Sequence, residues 1–315
     1  LSILRTQHAE AGYAAYVVDV KTGAVLHARN SRVLNFPASL CKVMTLYLVF
    51  EGLDEGRFTL ASMVPISQRA ARQPASKMGL KAGDSIMLQD AILALTTKSA
   101  NDVATALAEF ISGSEINFAK KMTERANALG MVKTTFRNAS GLPNKRQKTT
   151  AKDLSILGAA LYENFPHHTH YFSRKKFIYR GQVYRNHNRL LGVQKGVDGI
   201  KTGYIRAAGY NLMVSARHNG HHLIAVVLGG KTGKRRDAQM KRLLQRAYNR
   251  LDRSDKLFAM ISLPKEKPQR RKSLDSSLQR GKTTNLNPSK LDTPRKEDND
   301  WGIQLGAFAR HEAAE

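Results

Sequence analysis

The chain has 315 residues, enough for one large domain or two ordinary ones, and its 42% hydrophobic content excludes a mostly disordered protein. A formal net charge of +26 favours polyanionic partners such as nucleic acid, anionic lipid or acidic wall polymer, but charge alone does not choose among them. The single cysteine, Cys41, excludes an internal disulfide, and no apolar run reaches about 18 residues, so the sequence predicts no membrane span.

The first half of the chain predicts a β-hairpin followed by helices. Alternating residues rich in Val, Ala and Tyr predict the two strands of the hairpin. Apolar runs of helical length predict the helices, and Ser39 lies at the N-terminus of the first of them. The predicted elements are strands over residues 13–20 and 24–28, then helices over residues 40–50, 88–111, 115–129 and 151–164.

The second half predicts mainly strands and then a basic amphipathic helix over residues 236–251. An Asn-Gly pair, Asn219 and Gly220, predicts a tight hairpin turn. The predicted strands cover residues 176–184, 200–205, 210–216 and 222–228. A hairpin, then helices, then further strands indicate an α/β (α+β) fold, in which the N-terminal hairpin joins late strands in one antiparallel sheet.

The composition changes near residue 262. Residues 262–300 hold no aromatic residue and contain four of the nine prolines, which predicts a basic disordered linker. Residues 301–315 start with an apolar, strand-like run but are too few to fold alone. We therefore expect a folded domain over residues 1–261, the linker, and a short C-terminal segment.

Three short motifs predict the chemistry, and the first is S-x-x-K at Ser39 and Lys42. A serine hydroxyl is a weak nucleophile that needs a neighbouring base, and residues i and i+3 of a helix share a face. Lys42 acts as that base only if burial or nearby positive charge lowers its pKa. The apolar helix and Lys201 supply both conditions, and the helix N-terminus presents N–H groups to a developing oxyanion.

The other two motifs, S-x-N and Lys-Thr-Gly, supply binding groups. Ser99 offers a hydroxyl to relay protons, and Asn101 offers an amide for a substrate peptide group. On a strand, Lys201 and Thr202 offer a cation and a hydroxyl to a substrate carboxylate, while Gly203 removes a side chain where the substrate lies against the backbone.

Lys-Thr-Gly occurs three times, so its context has to choose between Lys21, Lys201 and Lys231. The first triplet falls in the predicted hairpin turn, and the third falls in a Gly- and Arg-rich connection between strand and helix. Only Lys201 follows the other two motifs, lies in strand-like sequence and precedes a hairpin. The ordered combination of the three motifs is far more specific than any one of them.

At these positions the chain resembles the low-molecular-mass D-alanyl-D-alanine carboxypeptidases, which are penicillin-binding serine peptidases. The resemblance covers residues 11–251 and rests on residues 37–42, 98–102, 138–142, 186–191 and 196–204. It implies a β-lactamase/DD-peptidase-like fold: a five-stranded antiparallel sheet with helices on both faces and a helical lobe, with the active site between sheet and lobe.

The resemblance also implies a role for each motif residue. The implied catalytic residues are Ser39, which is acylated, Lys42, which takes its proton, and Ser99. The implied substrate-binding residues are Asn101, Lys201, Thr202 and Gly203, and the implied oxyanion hole consists of the backbone N–H groups of Ser39 and Tyr204. No cofactor and no metal is implied.

The activity implied by the resemblance is removal of the terminal D-alanine from peptidoglycan pentapeptides, a cell-wall and cell-shape function inhibited by β-lactams. It implies a periplasmic or cell-envelope location after export; residues 1–5 lack the apolar core of a signal peptide, which says little about location. The expected partners are stem peptides, β-lactams and an anionic membrane surface or wall polymer, but no specific nucleic acid. Residues 301–309 resemble the first strand of a SPOR domain, a peptidoglycan-binding module.

Two other functions stay open on the sequence. A β-lactamase of the same fold needs an acidic residue to activate the deacylating water, and residues 163–166 do not show that loop pattern. A non-catalytic basic protein that binds the envelope or nucleic acid fits the charge, but no nucleic-acid motif is present and there is one Trp.

The remaining reactive side chains have simpler interpretations. We expect the histidines of residues 167–170 in a solvated loop rather than at a metal, and His221 and His222 at the surface. Cys41 is expected to be a small buried residue rather than a second nucleophile. Arg236 has two equally good interpretations: an arginine with a counterpart in the family, or a solvated helix start.

Overall fold

The computed structural model describes residues 12–262. The predictions for residues 263–315, including most of the linker and the SPOR-like strand at residues 301–309, lie outside the described residues. The division into three parts therefore stays a prediction.

A five-stranded antiparallel sheet with the order β2-β1-β9-β8-β7 organises the described part of the chain. As predicted, the N-terminal hairpin joins the late strands, because β1 pairs with β9 and Val17 lies opposite Ala225. Alternate residues of β1 face opposite cores, with Tyr16 on one side and Val17 on the other. The strands of this sheet are β1 (Ala14–Asp19), β2 (Val25–Arg29), β7 (Lys201–Ile205), β8 (Gly209–His218) and β9 (His221–Gly230).

Two small hairpins lie outside the main sheet: β3 (Met63–Pro65) with β4 (Ser85–Met87), and β5 (Lys176–Tyr179) with β6 (Gln182–Arg185). The strand signal over residues 176–184 therefore belongs to a separate two-stranded unit. Its two-residue turn, Arg180 and Gly181, has positive φ at both positions, as tight hairpin turns require.

Helices cover both faces of the main sheet, which confirms the predicted fold class. On one face α1 and α6 pack in the larger core, and on the other α7 packs through Met240 and Leu244. The helices are α1 (Cys41–Asp54), α2 (Gln68–Ala71), α3 (Leu88–Leu93), α4 (Asn101–Ser112), α5 (Glu115–Ala128), α6 (Ala151–Asn164) and α7 (Gly233–Ser262). None of these helices is both long and apolar enough to cross a bilayer.

The single helix predicted over residues 88–111 is wrong, because the chain breaks between α3 and α4. The hydroxyl of Thr97 donates to the carbonyl of Leu93 at 2.6 Å, within a wide π-helical turn over Ala94–Lys98. Ser99 then adopts a left-handed conformation with φ of 62°, which ends the helix. The spacing of apolar residues does not reveal such a break, because threonines whose hydroxyls bond to the preceding turn do not interrupt that spacing.

The helix predicted over residues 236–251 is longer at both ends. Thr232 caps α7 by accepting the N–H of Arg235 at 3.1 Å. After Gly233, no Gly or Pro occurs in the sequence until Pro264, so nothing in the composition stops the helix at residue 251.

The histidine predictions need correction. Residues 167–170 lie in a 3-10 helix over Pro166–Ser173 rather than a loop. His167 and His170 are solvent-exposed, as predicted, but His168 is buried and stacks on Phe50 with ring centroids 4.6 Å apart. His221 and His222 are half-buried rather than surface residues. They are covered because β1 and α6 pack beside the β8–β9 hairpin and α7 lies across it, and sequence does not show that packing.

Candidate active site

The three motifs meet around one pocket of about 860 Å³. The helical lobe and β7 form opposite walls, and the buried lysines lie beneath the lining. The motif residues that line the pocket are Ser39, Ser99, Asn101, Thr202, Gly203 and Tyr204. The structure therefore brings together segments that are far apart in the sequence.

Ser39 lies in a short 3-10 turn, Ala38–Leu40, immediately before α1. Ala38 has a φ of 49°, a strained value for a residue with a side chain. Two glycines allow backbone to close on this turn. A side chain at Gly203 would begin 3.0 Å from the backbone nitrogen of Ser39, and one at Gly141, whose φ is +84°, would collide with the carbonyl of Ala38.

Lys42 is fully buried in the first turn of α1, and among the described residues no carboxylate pairs with its amine. Its Nζ lies 3.1 Å from Ser39 Oγ and 2.8 Å from Asn101 Oδ1, and it also donates to the carbonyl of Ser140. Burial lowers the pKa of Lys42 to about 7, against the opposing effect of nearby anionic groups. A substantial fraction of the amine is therefore neutral, and available as a base, near pH 7.

The second wall is formed by the break between α3 and α4. Ser99 is buried, and its hydroxyl has no hydrogen-bond partner among the described residues. The side chain of Asn101 makes two hydrogen bonds. Its Oδ1 accepts from Lys42 Nζ, and its Nδ2 donates to the carbonyl of Pro74 at 2.9 Å. One N–H of this amide remains for a ligand. No role was predicted for Asp102 from the sequence. Its carboxylate accepts the N–H of Met78 at 3.0 Å and so anchors the loop above this wall.

The third motif lies on β7, at the edge of the main sheet. The amine of Lys201 is buried and donates to the carbonyl of Thr202 at 3.1 Å. Burial first, and then the positive charges of Lys42 and Arg236, hold the pKa of Lys201 well below its usual value. Lys21 lies in the β1–β2 turn, and Lys231 lies between β9 and α7, as the sequence context predicted.

Arg236 is part of this site rather than a solvated helix start. It is 6% exposed, lines the pocket, and donates to the carbonyl of Asn211 at 3.1 Å and to Asp237 Oδ1 at 2.7 Å. Asn211 in turn donates to the carbonyl of Pro37 at 3.2 Å, which ties β8 to the Ser39 turn. Sequence reasoning missed Asn211, although a buried amide inside the apolar run of β8 is a visible signal.

The mouth of the pocket is cationic. Arg185, Arg189 and Lys234 line it together with Arg236, while the one acidic lining residue, Asp237, is held by Arg236. His187 is exposed at the mouth, yet desolvation by the pocket walls, followed by the charge of Lys201, lowers its pKa to about 4. A pocket with this charge suits an anionic ligand.

Cys41 is fully buried, as predicted, and burial raises the pKa of its thiol. Its Sγ donates to the carbonyl of Asn138 at 3.0 Å, away from Ser39. Among the described residues, no group of three metal-ligating side chains lines the pocket. The reactive groups that meet here are the hydroxyl of Ser39 and the amine of Lys42.

Comparison with known proteins agrees with this geometry. The family model described as D-alanyl-D-alanine carboxypeptidase matches residues 4–232. D-alanyl-D-alanine carboxypeptidase DacF of Bacillus subtilis (strain 168) is 36% identical over 248 residues, which cover 76% of this chain and 62% of that protein. The chain spans about three fifths of the length of the curated relatives that it matches.

Two solved structures are also similar. Penicillin-binding protein 5 from Haemophilus influenzae superposes with a TM-score of 0.71 at 35% identity, covering 74% of this chain and 69% of that one. Penicillin-binding protein D2 from Listeria monocytogenes, in its ampicillin-bound form, gives a TM-score of 0.69 at 30% identity, covering 75% of this chain and 96% of that one. With the match over residues 4–232, these similarities show that the chain belongs to the D-alanyl-D-alanine carboxypeptidase family.

Proposed function

We propose that this protein is a serine-type carboxypeptidase that removes the terminal D-alanine from peptidoglycan stem pentapeptides through an acyl-enzyme on Ser39. The observation that carries the proposal is the pair formed by Ser39 Oγ and Lys42 Nζ, 3.1 Å apart in the pocket floor. A buried lysine with a pKa of about 7, bonded to a hydroxyl, an amide oxygen and a carbonyl, is an effective general base.

The contacts of Lys42 favour proton transfer from Ser39. A neutral amine has two N–H groups and one lone pair. Asn101 Oδ1 and the carbonyl of Ser140 accept the two N–H groups. The lone pair is then directed to the remaining neighbour, the hydroxyl of Ser39, which is the one group of the three that can donate a proton.

The oxyanion hole is assigned to the backbone N–H groups of Ser39 and Tyr204. Because β7 is an edge strand, half of its backbone groups point away from β8 and toward the pocket. The close approach at Gly203 brings these groups beside the nitrogen of Ser39. The side chain of Tyr204 is 53% exposed, consistent with a contribution from its backbone alone.

The terminal carboxylate of the substrate is assigned to Lys201 and Thr202. Thr202 lines the pocket, and Lys201 lies directly beneath it. Arg236 adds a second buried cation at the same wall, and its charge already influences Lys201. A peptide that ends in a carboxylate would therefore lie along β7 with its last carbonyl carbon near Ser39.

The proposed reaction has two steps, acylation of Ser39 and hydrolysis of the resulting ester. Ser39 Oγ attacks the carbonyl of the penultimate D-alanine while Lys42 takes its proton, and the uncommitted hydroxyl of Ser99 relays that proton to the departing amine of the last D-alanine. Water next attacks the ester, Lys42 takes a proton from it, and Ser39 recovers its proton as the shortened peptide leaves.

β-Lactams are the proposed inhibitors, because their carboxylate imitates the end of a D-Ala-D-Ala peptide and their opened ring stays tethered in the pocket. The ampicillin-bound Listeria monocytogenes relative supports this assignment. Rapid hydrolysis is not proposed: Glu163 lies on α6 beside a different surface pocket, and Asp237 is held by Arg236. No other acidic side chain lines the active-site pocket among the described residues.

A cell-envelope location follows from this substrate. The formal charge of +26 supports a further proposed partner, an anionic membrane surface or wall polymer. This partner would bind outside the catalytic site. Increasing salt should weaken retention on anionic vesicles or wall polymer while leaving peptide turnover measurable.

Release of free D-alanine from a peptide ending in D-Ala-D-Ala tests the proposed activity. The purified chain should release one D-alanine per peptide, and Ser39→Ala should release none. A peptide ending in L-Ala-L-Ala is the matched control substrate. Failure of the wild-type chain to release D-alanine, with its fold intact, would favour the non-catalytic envelope-binding alternative.

A further inference from the structure

Three metal-ligating side chains meet at the end of α1 that lies away from the proposed active site. Asp54 is the last residue of α1, and His167 and His168 lie in the first turn of the 3-10 helix Pro166–Ser173. Within residues 12–262 this is the one group of three His, Cys, Asp or Glu side chains whose ligand atoms lie within 4.8 Å of one another. Lys42 and Asp54 are about 18 Å apart at 1.5 Å per helical residue.

The spacing of the three side chains is close to that of a metal site. Asp54 Oδ1 lies 2.9 Å from His167 Nε2 and 3.2 Å from His168 Nε2. A tetrahedral Zn²⁺ ion with ligands at about 2.0–2.1 Å separates neighbouring ligand atoms by roughly 3.3 Å. All three ligand atoms lie within 4.8 Å of one another, so their separations are on the scale that one Zn²⁺ ion requires.

The site is fixed on one side and open on the other. The side chain of His168 is 11% exposed and stacks on Phe50, so its orientation is held by packing. The side chains of His167 and Asp54 are 56% and 35% exposed, which gives an ion an entry path and leaves a fourth coordination position for water.

The two imidazole rings share one acceptor. Both rings direct Nε2 to the same carboxylate oxygen, and the two imidazoles lie 4.1 Å apart by centroid. Two imidazole nitrogens and a carboxylate oxygen this close together form a ligand set that one divalent cation can share. Imidazole and carboxylate are also ligands that suit Zn²⁺.

We infer that Asp54, His167 and His168 form a binding site for a divalent transition-metal ion of the Zn²⁺ class. The ion would join the C-terminal end of α1 to the 3-10 helix after α6, and so fasten the helix that begins next to Ser39. This role is structural and is independent of the serine chemistry proposed above.

The test uses the full chain after removal of metal with a chelator, titrated with Zn²⁺ in competition with a chromophoric chelator. One Zn²⁺ should bind per chain, and Zn²⁺ should raise the melting temperature. His167→Ala, His168→Ala and Asp54→Asn should each weaken binding at least about tenfold, as loss of a ligand group does. The matched control is His170→Ala, which removes an exposed histidine from the same helix and should bind within about twofold of wild type.

Absence of stoichiometric Zn²⁺ binding would overturn the inference, as would equal binding by wild type and His167→Ala. The His167 variant decides the question if the buried His168 variant does not fold, because the His167 ring is largely exposed. Acylation of the metal-free chain by penicillin is measured in parallel. That reaction needs no metal, so its success or failure reports on Ser39 and Lys42 alone.

Discussion

Titratable side chains at the active-site pocket and at the β8–β9 hairpin end of the sheet differ in their pairing with carboxylates and in the direction of their pKa shifts. Beneath the pocket, Lys42 and Lys201 are buried, no carboxylate of the described residues pairs with either amine, and burial lowers both pKa values. At the hairpin end, His218 pairs with Asp252 at 2.8 Å, and His221 pairs with Asp19 at 2.8 Å. Hydrogen bonding to Asp19 raises the pKa of His221.

The difference separates groups that serve reactivity from groups that serve stability. Burial of a cation without an anionic partner costs folding free energy. Such a group is retained where its neutral amine acts as a base or where its charge binds a ligand. A histidine paired with carboxylates at a strand end contributes stability and no chemistry. Substitutions at the two ends should therefore have opposite effects on activity and stability.

Loss of Lys42 should have the largest effect on activity. Lys42→Ala removes the proposed proton acceptor of Ser39, so acylation should fall by about 10³-fold or more for peptides and β-lactams alike. Stopped-flow or quenched acylation with a chromogenic β-lactam measures the rate. An acylation rate within tenfold of wild type would remove Lys42 from the mechanism.

Substitution of Lys201 should separate activity from stability. Lys201→Met keeps the side-chain volume but removes the cation that pairs with the substrate carboxylate. This loss should cost about 2–4 kcal/mol of binding free energy, or about 30- to 1,000-fold in kcat/KM. Because the amine is desolvated in the folded protein, the melting temperature should not fall. Lys21→Met and Lys231→Met are matched controls in the same triplet, and equal damage at all three positions would refute the choice of Lys201.

The pH dependence of acylation should report the pKa of Lys42, which burial lowers to about 7. Since the neutral amine is the base, the acylation rate should rise about tenfold per pH unit below 7 and level off above it. The pKa of His187, lowered to about 4, lies below this range. A rate that is constant from pH 5 to pH 9 would contradict the assignment of Lys42 as base.

The smallest expected effect is at the hairpin end, on stability alone. The pKa of His221 is raised in the folded state, so its stabilising contribution is complete below the unfolded pKa of about 6.5 and is lost as pH rises through the folded value. His221→Ala should lower the free energy of unfolding by about 1 kcal/mol at pH 5.5 and by less at pH 9. His221 also pairs with Asp255 of α7 at 3.2 Å, and a double-mutant cycle with Asp255→Asn isolates this second pair. An equal loss at both pH values would show that lost packing dominates.

The sequence predicted the parts of this site that depend on short spacing and on order along the chain. The S-x-x-K pair needs only one helical turn, and the strand context of Lys201 distinguished it from Lys21 and Lys231. These features are local, so the residues themselves determine them.

The parts that sequence reasoning missed depend on long-range packing. The break at Ser99 is produced by a left-handed residue inside a helical pattern, and the burial of Arg236 depends on where α7 begins against β8. The meeting of Asp54 with His167 and His168 joins segments more than one hundred residues apart. No periodicity in the chain reports such contacts.

The most direct test of the central claim is the intact mass of the chain after a short pulse of benzylpenicillin, followed by peptide mapping. We expect one added penicillin per chain, located on Ser39 and absent from Ser39→Ala, that persists long after free penicillin is removed. An adduct on another residue, or one retained by Ser39→Ala, would contradict the assignment of the nucleophile. An adduct that disappears within seconds while β-lactam is steadily hydrolysed would instead identify a β-lactamase.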